Sequence, residues 1–129
     1  MEVTLGALIG VALLAVVAVF KAGLALGAPW GSAAWGGQNP GVLPRPLRIA
    51  SGIAAVVVYP LIGLIVLASA NVIEADWLPL QGPTVMWILA VLLGIGAVMN
   101  LISRSPPERL WGPVAGAVAV CCAIVALNA

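Results

Sequence analysis

Four long apolar runs make up most of this chain and constrain its fold more than any other feature of the sequence. They cover residues 3–26, 49–70, 84–102 and 110–127. Because a helix needs about 20 apolar residues to cross the hydrocarbon core of a bilayer, each run predicts one transmembrane helix. Strands are excluded, because an open sheet edge cannot face lipid and because the chain lacks the alternation typical of a membrane barrel. The predicted fold is an all-α, polytopic transmembrane four-helix bundle in a single domain.

The composition also indicates a membrane location. Of the 129 residues, 64% are hydrophobic and 7% are charged, whereas soluble domains carry about 25% charged residues. A chain with so few charges cannot cover a surface that faces water. The net charge of +1 is too small to indicate nucleic-acid binding. We therefore expect membrane lipids, and no nucleic acid, among the partners.

The first apolar run is expected to remain as a helix and not to be cleaved as a signal peptide. Met1 and Glu2 carry no positive side chain ahead of the run. The nearest basic residue, Lys21, follows most of the run, which reverses the charge order of a signal peptide.

The connectors between the runs predict the orientation in the membrane. All basic residues lie in or beside the first and third connectors: Lys21, Arg45, Arg48, Arg104 and Arg109. The second connector carries Glu74 and Asp76 and no basic residue. Since positively charged loops stay in the cytoplasm, residues 27–48 are predicted to form a cytoplasmic loop, with both termini outside the inner (plasma) membrane.

Small residues at helical spacing indicate how the helices pack. Lipid is as apolar as leucine, so transmembrane helices associate through close contact of small residues. The first run offers Gly6 and Gly10, and the fourth offers Gly112 and Gly116. These stripes predict either tight packing within the chain or a homodimer face. In the fourth helix, Val118 is expected to face lipid.

Two similar helix starts raise the question of an internal repeat. Pro46 precedes the second run and Pro107 precedes the fourth, and proline is tolerated in the first turn of a helix. Either the chain consists of two similar helical hairpins in parallel, or the starts of the second and fourth helices are alike only because similar chemistry suits both boundaries.

Tyr59 and Pro60 lie near the middle of the second run and form a candidate mid-membrane polar site. Proline cannot donate a backbone hydrogen bond and displaces the carbonyl of Val56, so a kink is expected. Either the tyrosine hydroxyl satisfies that free carbonyl, or the two residues line a small polar pocket.

The basic connectors contain the best candidate binding site. Arg45, Arg48, Arg104 and Arg109 could converge on lipid phosphates or a small anion, because the guanidinium fork suits phosphate and because the cytoplasmic leaflet is anionic. The alternative is that these charges only fix the orientation of the chain.

Two further features of the predicted cytoplasmic side each allow two interpretations. Lys21 is expected to extend its side chain to the interface, and the alternative is an inward ion pair with Glu108. Residues 29–37 are rich in glycine and tryptophan, so they form either an ordinary surface loop or a re-entrant cap that folds back into the membrane interface.

The sequence predicts no catalytic, cofactor-binding or metal-binding residue. There is no histidine, which removes the commonest general base and metal ligand. The adjacent Cys121 and Cys122 lie inside an apolar run and are expected to be small packing residues. With no nucleophile–base pair in view, we expect that the protein is not an enzyme.

Three motifs carry a resemblance to known proteins. They are G-x-P-W-G-x-x-A-W-G-G over residues 27–37, L-P-x-x-L-R over residues 43–48, and S-R-S-x-x-E-R-x-W-x-P over residues 103–113. In these motifs the chain resembles small uncharacterised bacterial four-helix integral membrane proteins. The resemblance implies a protein of the bacterial inner membrane and assigns no catalytic residue.

Two classes of function fit these observations. The first is a non-enzymatic membrane protein that acts through helix packing, as an accessory subunit or by interacting with lipids. The second is a small transporter or channel protomer that acts as an oligomer. A homo-oligomer or a larger membrane complex is accordingly expected among the partners.

Overall fold

The computed structural model, which describes residues 2–129, confirms the all-α four-helix architecture. The helices are α1 (Val3–Ala25), α2 (Arg45–Ser69), α3 (Pro83–Leu101) and α4 (Pro106–Asn128). Each is long and apolar enough to cross a membrane, and residues 2–129 contain no β-strand. The chain is therefore an integral membrane protein with multiple spans.

Two helices begin four residues earlier than the apolar runs predict. α2 begins at Arg45 instead of residue 49, and α4 begins at Pro106 instead of residue 110. The reason is that a first helical turn tolerates proline and charged side chains, which a search for apolar runs leaves out. The connector between α1 and α2, called the long loop below, therefore covers residues 26–44 instead of 27–48.

The helices are arranged with α1 and α4 at the centre. α4 packs most extensively on α3 and also along α1, while α2 packs on α1. α2 and α3 touch each other only slightly. α1 and α3 end, and α2 and α4 begin, at one end of the bundle, called the loop end below.

The glycine stripes of α1 and α4 lie at contacts between helices. A Cβ added at Gly10 would lie 3.2 Å from Cys121 Cβ of α4, and one at Gly116 would lie 3.8 Å from Ala97 Cβ of α3. Gly6 and Gly112 are also buried. The structure thus places these stripes at contacts within one chain. Cys121 and Cys122 are free and buried, as expected for packing residues.

The expectation that Val118 faces lipid is wrong. Its side chain is 2% exposed and belongs to the main core of the bundle. Two residues turn a helix by about 200°, so Val118 lies on the side of α4 opposite Gly116. Because α4 is a central helix, both of those sides are covered by neighbours. Val120, which is 58% exposed, is a lipid-facing position of α4.

The break expected at Pro60 takes the form of a wide helical turn. Residues Ala54–Val58 form a π-helical turn directly before Tyr59 and Pro60. The backbone N–H of Tyr59 donates to the carbonyl of Ala54, five residues back. Single π turns interrupt α-helices in this way, and here the turn lies next to the proline, whose ring conflicts with the carbonyl four residues before it.

The long loop folds back over the loop end of the bundle. It contains two 3₁₀ turns, Gly31–Ala33 and Trp35–Gly37. Its Ala34 and Leu43 form a second small core with Leu24 of α1. A hydrogen bond from Gly31 N to Gly41 O, 2.8 Å long, closes the loop on itself. The long loop thus packs against the helix ends, and its place relative to the membrane interface stays a prediction.

Candidate functional site

A cavity of about 120 Å³ lies between the four helices under the long loop. All four helices contribute to its wall, and the loop contributes Ala33 to Trp35. The cavity is unusual for a membrane-embedded interior because its lining includes both signs of charge. Its polar and aromatic wall residues are Lys21, Trp35, Tyr59, Asn100, Glu108 and Trp111. We call it the inner cavity.

Lys21 lies in the wall of the inner cavity, on the last turns of α1. Its ammonium nitrogen lies 5.1 Å from the centroid of the Trp35 ring and 5.9 Å from that of the Phe20 ring. Both distances permit cation–π attraction. The side chain is half-buried and contributes to the same cavity as Glu108. The structure is therefore closer to the inward-facing alternative than to the expected extension to the interface.

Glu108 is the buried carboxylate of this end of the bundle. It lies in the first turn of α4, where the helix dipole favours a negative charge. Its side chain is 7% exposed, and its Oε2 accepts a hydrogen bond of 2.7 Å from Gly36 N of the long loop. Within residues 2–129, Lys21 and Glu108 form no direct ion pair, although their charges attract each other across the cavity.

Aromatic side chains surround the charged pair. Phe20 stacks on Trp30 with 5.9 Å between ring centroids and an interplanar angle of 11°. It also contacts Trp111, with centroids 4.6 Å apart. The indole nitrogen of Trp111 is buried and, within the described part of the chain, has no hydrogen-bond partner. A buried donor without an acceptor is uncommon in folded proteins and costs free energy.

Three side-chain hydrogen bonds hold the long loop over the cavity. Trp35 Nε1 donates to Ser51 Oγ of α2 over 3.1 Å, and Gly36 N donates to Glu108, as described above. Ser105 Oγ donates to the carbonyl of Ser32. The loop is thus attached to α2, to α4 and to the connector that precedes α4. Sequence reasoning missed Ser51 and Ser105, because no local pattern distinguishes them from other serines.

The four candidate arginines do not gather at one place. Arg45 and Arg48 line one groove at the start of α2, and Arg48 Nε donates to the carbonyl of Ala25 over 3.3 Å. Arg104 lines a different depression on the other side of the loop. Arg109 is exposed and donates through Nε to the carbonyl of Ser103 over 2.7 Å. The structure therefore separates them into two pairs.

Two grooves follow the contact between α1 and α2. The first, of about 440 Å³, contains the Arg45 and Arg48 pair. The second, of about 470 Å³, lies deeper and is almost entirely apolar, with Tyr59 and Pro60 in its wall. Tyr59 lines both this groove and the inner cavity. Tyr59 and Pro60 lie together in this apolar groove, and the mid-membrane polar site stays a prediction.

A wide depression of about 830 Å³ opens beside the long loop. Gln38, Ser103 and Arg104 are among its polar wall residues. Asn100 and Glu108 line both this depression, called the vestibule below, and the inner cavity. These two side chains therefore separate an open polar surface from the closed interior of the bundle.

The described residues include no group of three or more His, Cys, Asp or Glu side chains that could hold a metal ion. The charged and aromatic residues at the loop end are therefore characterised by the contacts that they make with each other and with the long loop. The resemblance to small bacterial membrane proteins stays a prediction. No family of known proteins, no curated protein and no solved structure matches this chain.

Proposed function

We propose that this chain is a non-enzymatic membrane protein that binds an anionic phospholipid along the face formed by α1 and α2. The observation that carries the proposal is the order of two grooves along one pair of helices, one basic and one apolar. A guanidinium pair, Arg45 and Arg48, lies at the loop end, and an apolar groove lies deeper in the same contact. A phospholipid has its groups in the same order, with the phosphate at the membrane surface and the acyl chains deeper in the bilayer.

The spacing of the residues supports one continuous surface. On α1 the wall residues of the two grooves include Val11, Ala18 and Ala25, which recur every seven residues and so lie on one face of the helix. On α2 the upper groove reaches Gly52 and the lower groove begins at Tyr59. Seven residues span about 10 Å of helix, which places the apolar groove below a headgroup bound at the arginines.

Charge and geometry also favour Arg45 and Arg48 over the other arginine pair. A guanidinium forms bidentate hydrogen bonds with phosphate, and anionic lipids of the cytoplasmic leaflet attract basic side chains near the surface. We propose accordingly that the loop end faces the cytoplasm and that both termini lie outside. The depression at Arg104, in contrast, lies between α3 and the long loop and not along the α1–α2 contact.

Native mass spectrometry of the purified protein tests the lipid site. The Arg45→Gln/Arg48→Gln variant should retain less phosphatidylglycerol than the wild type after purification from mixed phosphatidylglycerol and phosphatidylcholine. Each arginine near the surface contributes about 1 kcal/mol, so the pair should weaken binding by about 2 kcal/mol, or roughly 30-fold. Added salt should weaken the wild-type binding as well.

The matched control is Arg104→Gln/Arg109→Gln, which removes the same charge from the same end of the bundle. It should leave phosphatidylglycerol retention close to that of the wild type. An equal loss in the two double variants would show that only the net charge matters, and the proposed site would then be wrong. The same conclusion would follow if the wild type retained both lipids equally.

A second candidate function is a small transporter or channel protomer. One observation favours it, namely that the polar vestibule and the inner cavity share Asn100 and Glu108 and so lead into the bundle interior. Four helices enclose little space, so this function requires an oligomer. A detergent-corrected mass equal to that of one chain would contradict it.

A further inference from the structure

The inner cavity holds a positive and a negative side chain that face the same space without touching. Lys21 Nζ rests over the ring of Trp35 at 5.1 Å, and Glu108 Oε2 is engaged by Gly36 N at 2.7 Å. Both residues line the cavity. The formal charge of the lining is therefore zero, but its two charges are separated.

Separated charges inside a membrane protein are costly. Burial removes water from each group, and the loss is offset only when an oppositely charged or hydrogen-bonding partner comes into contact. The structure has the Lys21 ammonium on the face of Trp35 and not in contact with Glu108. The space between the two groups is thus bounded by a donor on one side and an acceptor on the other.

We propose that the inner cavity binds a small zwitterion that carries one carboxylate and one ammonium group, of the size of a simple amino acid. The guest carboxylate pairs with the Lys21 ammonium, and the guest ammonium pairs with the free oxygen of Glu108. Trp111 lies in the same wall, and its buried indole N–H lacks an acceptor among the described residues. Asn100 supplies both a donor and an acceptor.

The size of the cavity agrees with this class of guest. A volume of about 120 Å³ corresponds to about four water molecules at roughly 30 Å³ each. That volume suits a small guest such as glycine. Sites for drug-sized ligands are larger, at about 300 to 1,000 Å³.

The vestibule provides the route by which a solute reaches the cavity. Asn100 and Glu108 form part of both walls, so the hydrogen bond from Gly36 to Glu108 lies between the two spaces. Opening of this one contact would join them. This inference concerns a different site from the α1–α2 lipid surface and does not depend on it.

Isothermal titration calorimetry with three small probes tests the proposal. Glycine carries both charges, whereas acetate and methylammonium each carry one of them. Purified wild-type protein should bind glycine saturably and should bind acetate and methylammonium at least about tenfold more weakly, because each lacks one charge-assisted contact. Lys21→Met and Glu108→Gln should each weaken glycine binding by at least about tenfold.

Glu108→Gln keeps an oxygen that can accept the hydrogen bond of Gly36, so this variant separates loss of charge from loss of the loop contact. Arg104→Gln is the control, because Arg104 lines the vestibule and not the inner cavity; it should bind glycine like the wild type. Circular dichroism and the melting temperature verify folding. The proposal would be overturned if folded wild-type protein did not bind glycine, because water would then be the only occupant of the cavity. It would also be overturned if acetate or methylammonium bound as well as glycine.

Discussion

Replacement of Gly112 by leucine is expected to destabilise the bundle by about 3 kcal/mol or more, because it overpacks the contact between α3 and α4. A Cβ added at Gly112 would lie 2.6 Å from the side chain of Leu101 and 3.3 Å from the carbonyl oxygen of Ala97. α4 packs on α3 more extensively than on any other helix. A larger side chain at this point therefore forces the two helices apart along their main contact.

Thermal unfolding in detergent measures this effect, with two matched controls on the same helix. Val120→Leu changes a lipid-facing position and should leave the melting temperature nearly unchanged. Gly116→Ala adds a methyl group at an ordinary contact distance of 3.8 Å from Ala97 Cβ, so it should also be tolerated. A melting temperature for Gly112→Leu equal to that of Val120→Leu would show that this part of α4 does not pack on α3.

Replacement of Glu108 by leucine is expected to release the long loop from the bundle. The carboxylate accepts a 2.7 Å hydrogen bond from Gly36 N, and hydrogen bonds to a charged group contribute about 1.5–3 kcal/mol. The change also leaves Lys21 in a cavity without its opposite charge, which adds to the cost. We expect a loss of about 3 kcal/mol in stability and an open loop.

The rate of maleimide labelling at Ala34→Cys reports on the opening of the loop, because Ala34 is 3% exposed in the closed form. Labelling should be slow in the parent variant and much faster when Glu108→Leu is added. Glu108→Gln retains an acceptor oxygen and should label almost as slowly as the parent. Equally slow labelling in the parent and the Glu108→Leu variant would mean that the other loop contacts hold the long loop closed without the Glu108 carboxylate.

The number and identity of the helices could be predicted from the sequence, because bilayer thickness imposes a length on every apolar run. The starts of α2 and α4 could not, since Arg45 and Pro106 lie in polar first turns that hydropathy excludes. The sequence also could not predict which face of each helix meets lipid. Val118 is buried because α4 is a central helix, and the order of helices around a bundle is not encoded in any single run.

The candidate site could be predicted only in part. The sequence placed Lys21 and Glu108 together only as the alternative to an extended Lys21, on the ground that Glu108 is the single carboxylate among the basic connectors. The cap formed by the long loop depends on contacts between residues far apart in sequence, such as Trp35 with Ser51. The division of the arginines into two pairs likewise results from the fold, since Arg48 and Arg109 each bond to a nearby backbone carbonyl.

The lipid site proposed at Arg45 and Arg48 requires a chain that crosses the membrane four times with its loop end in the cytoplasm. Labelling of single cysteines in intact cells with a membrane-impermeant maleimide tests this claim most directly. Gln38→Cys lies in the long loop and Asp76→Cys in the connector at the opposite end, and both positions are exposed. The native Cys121 and Cys122 are buried and should contribute little background. We expect Asp76→Cys to be labelled in intact cells and Gln38→Cys only after permeabilisation; labelling of Gln38→Cys but not of Asp76→Cys in intact cells would contradict the account.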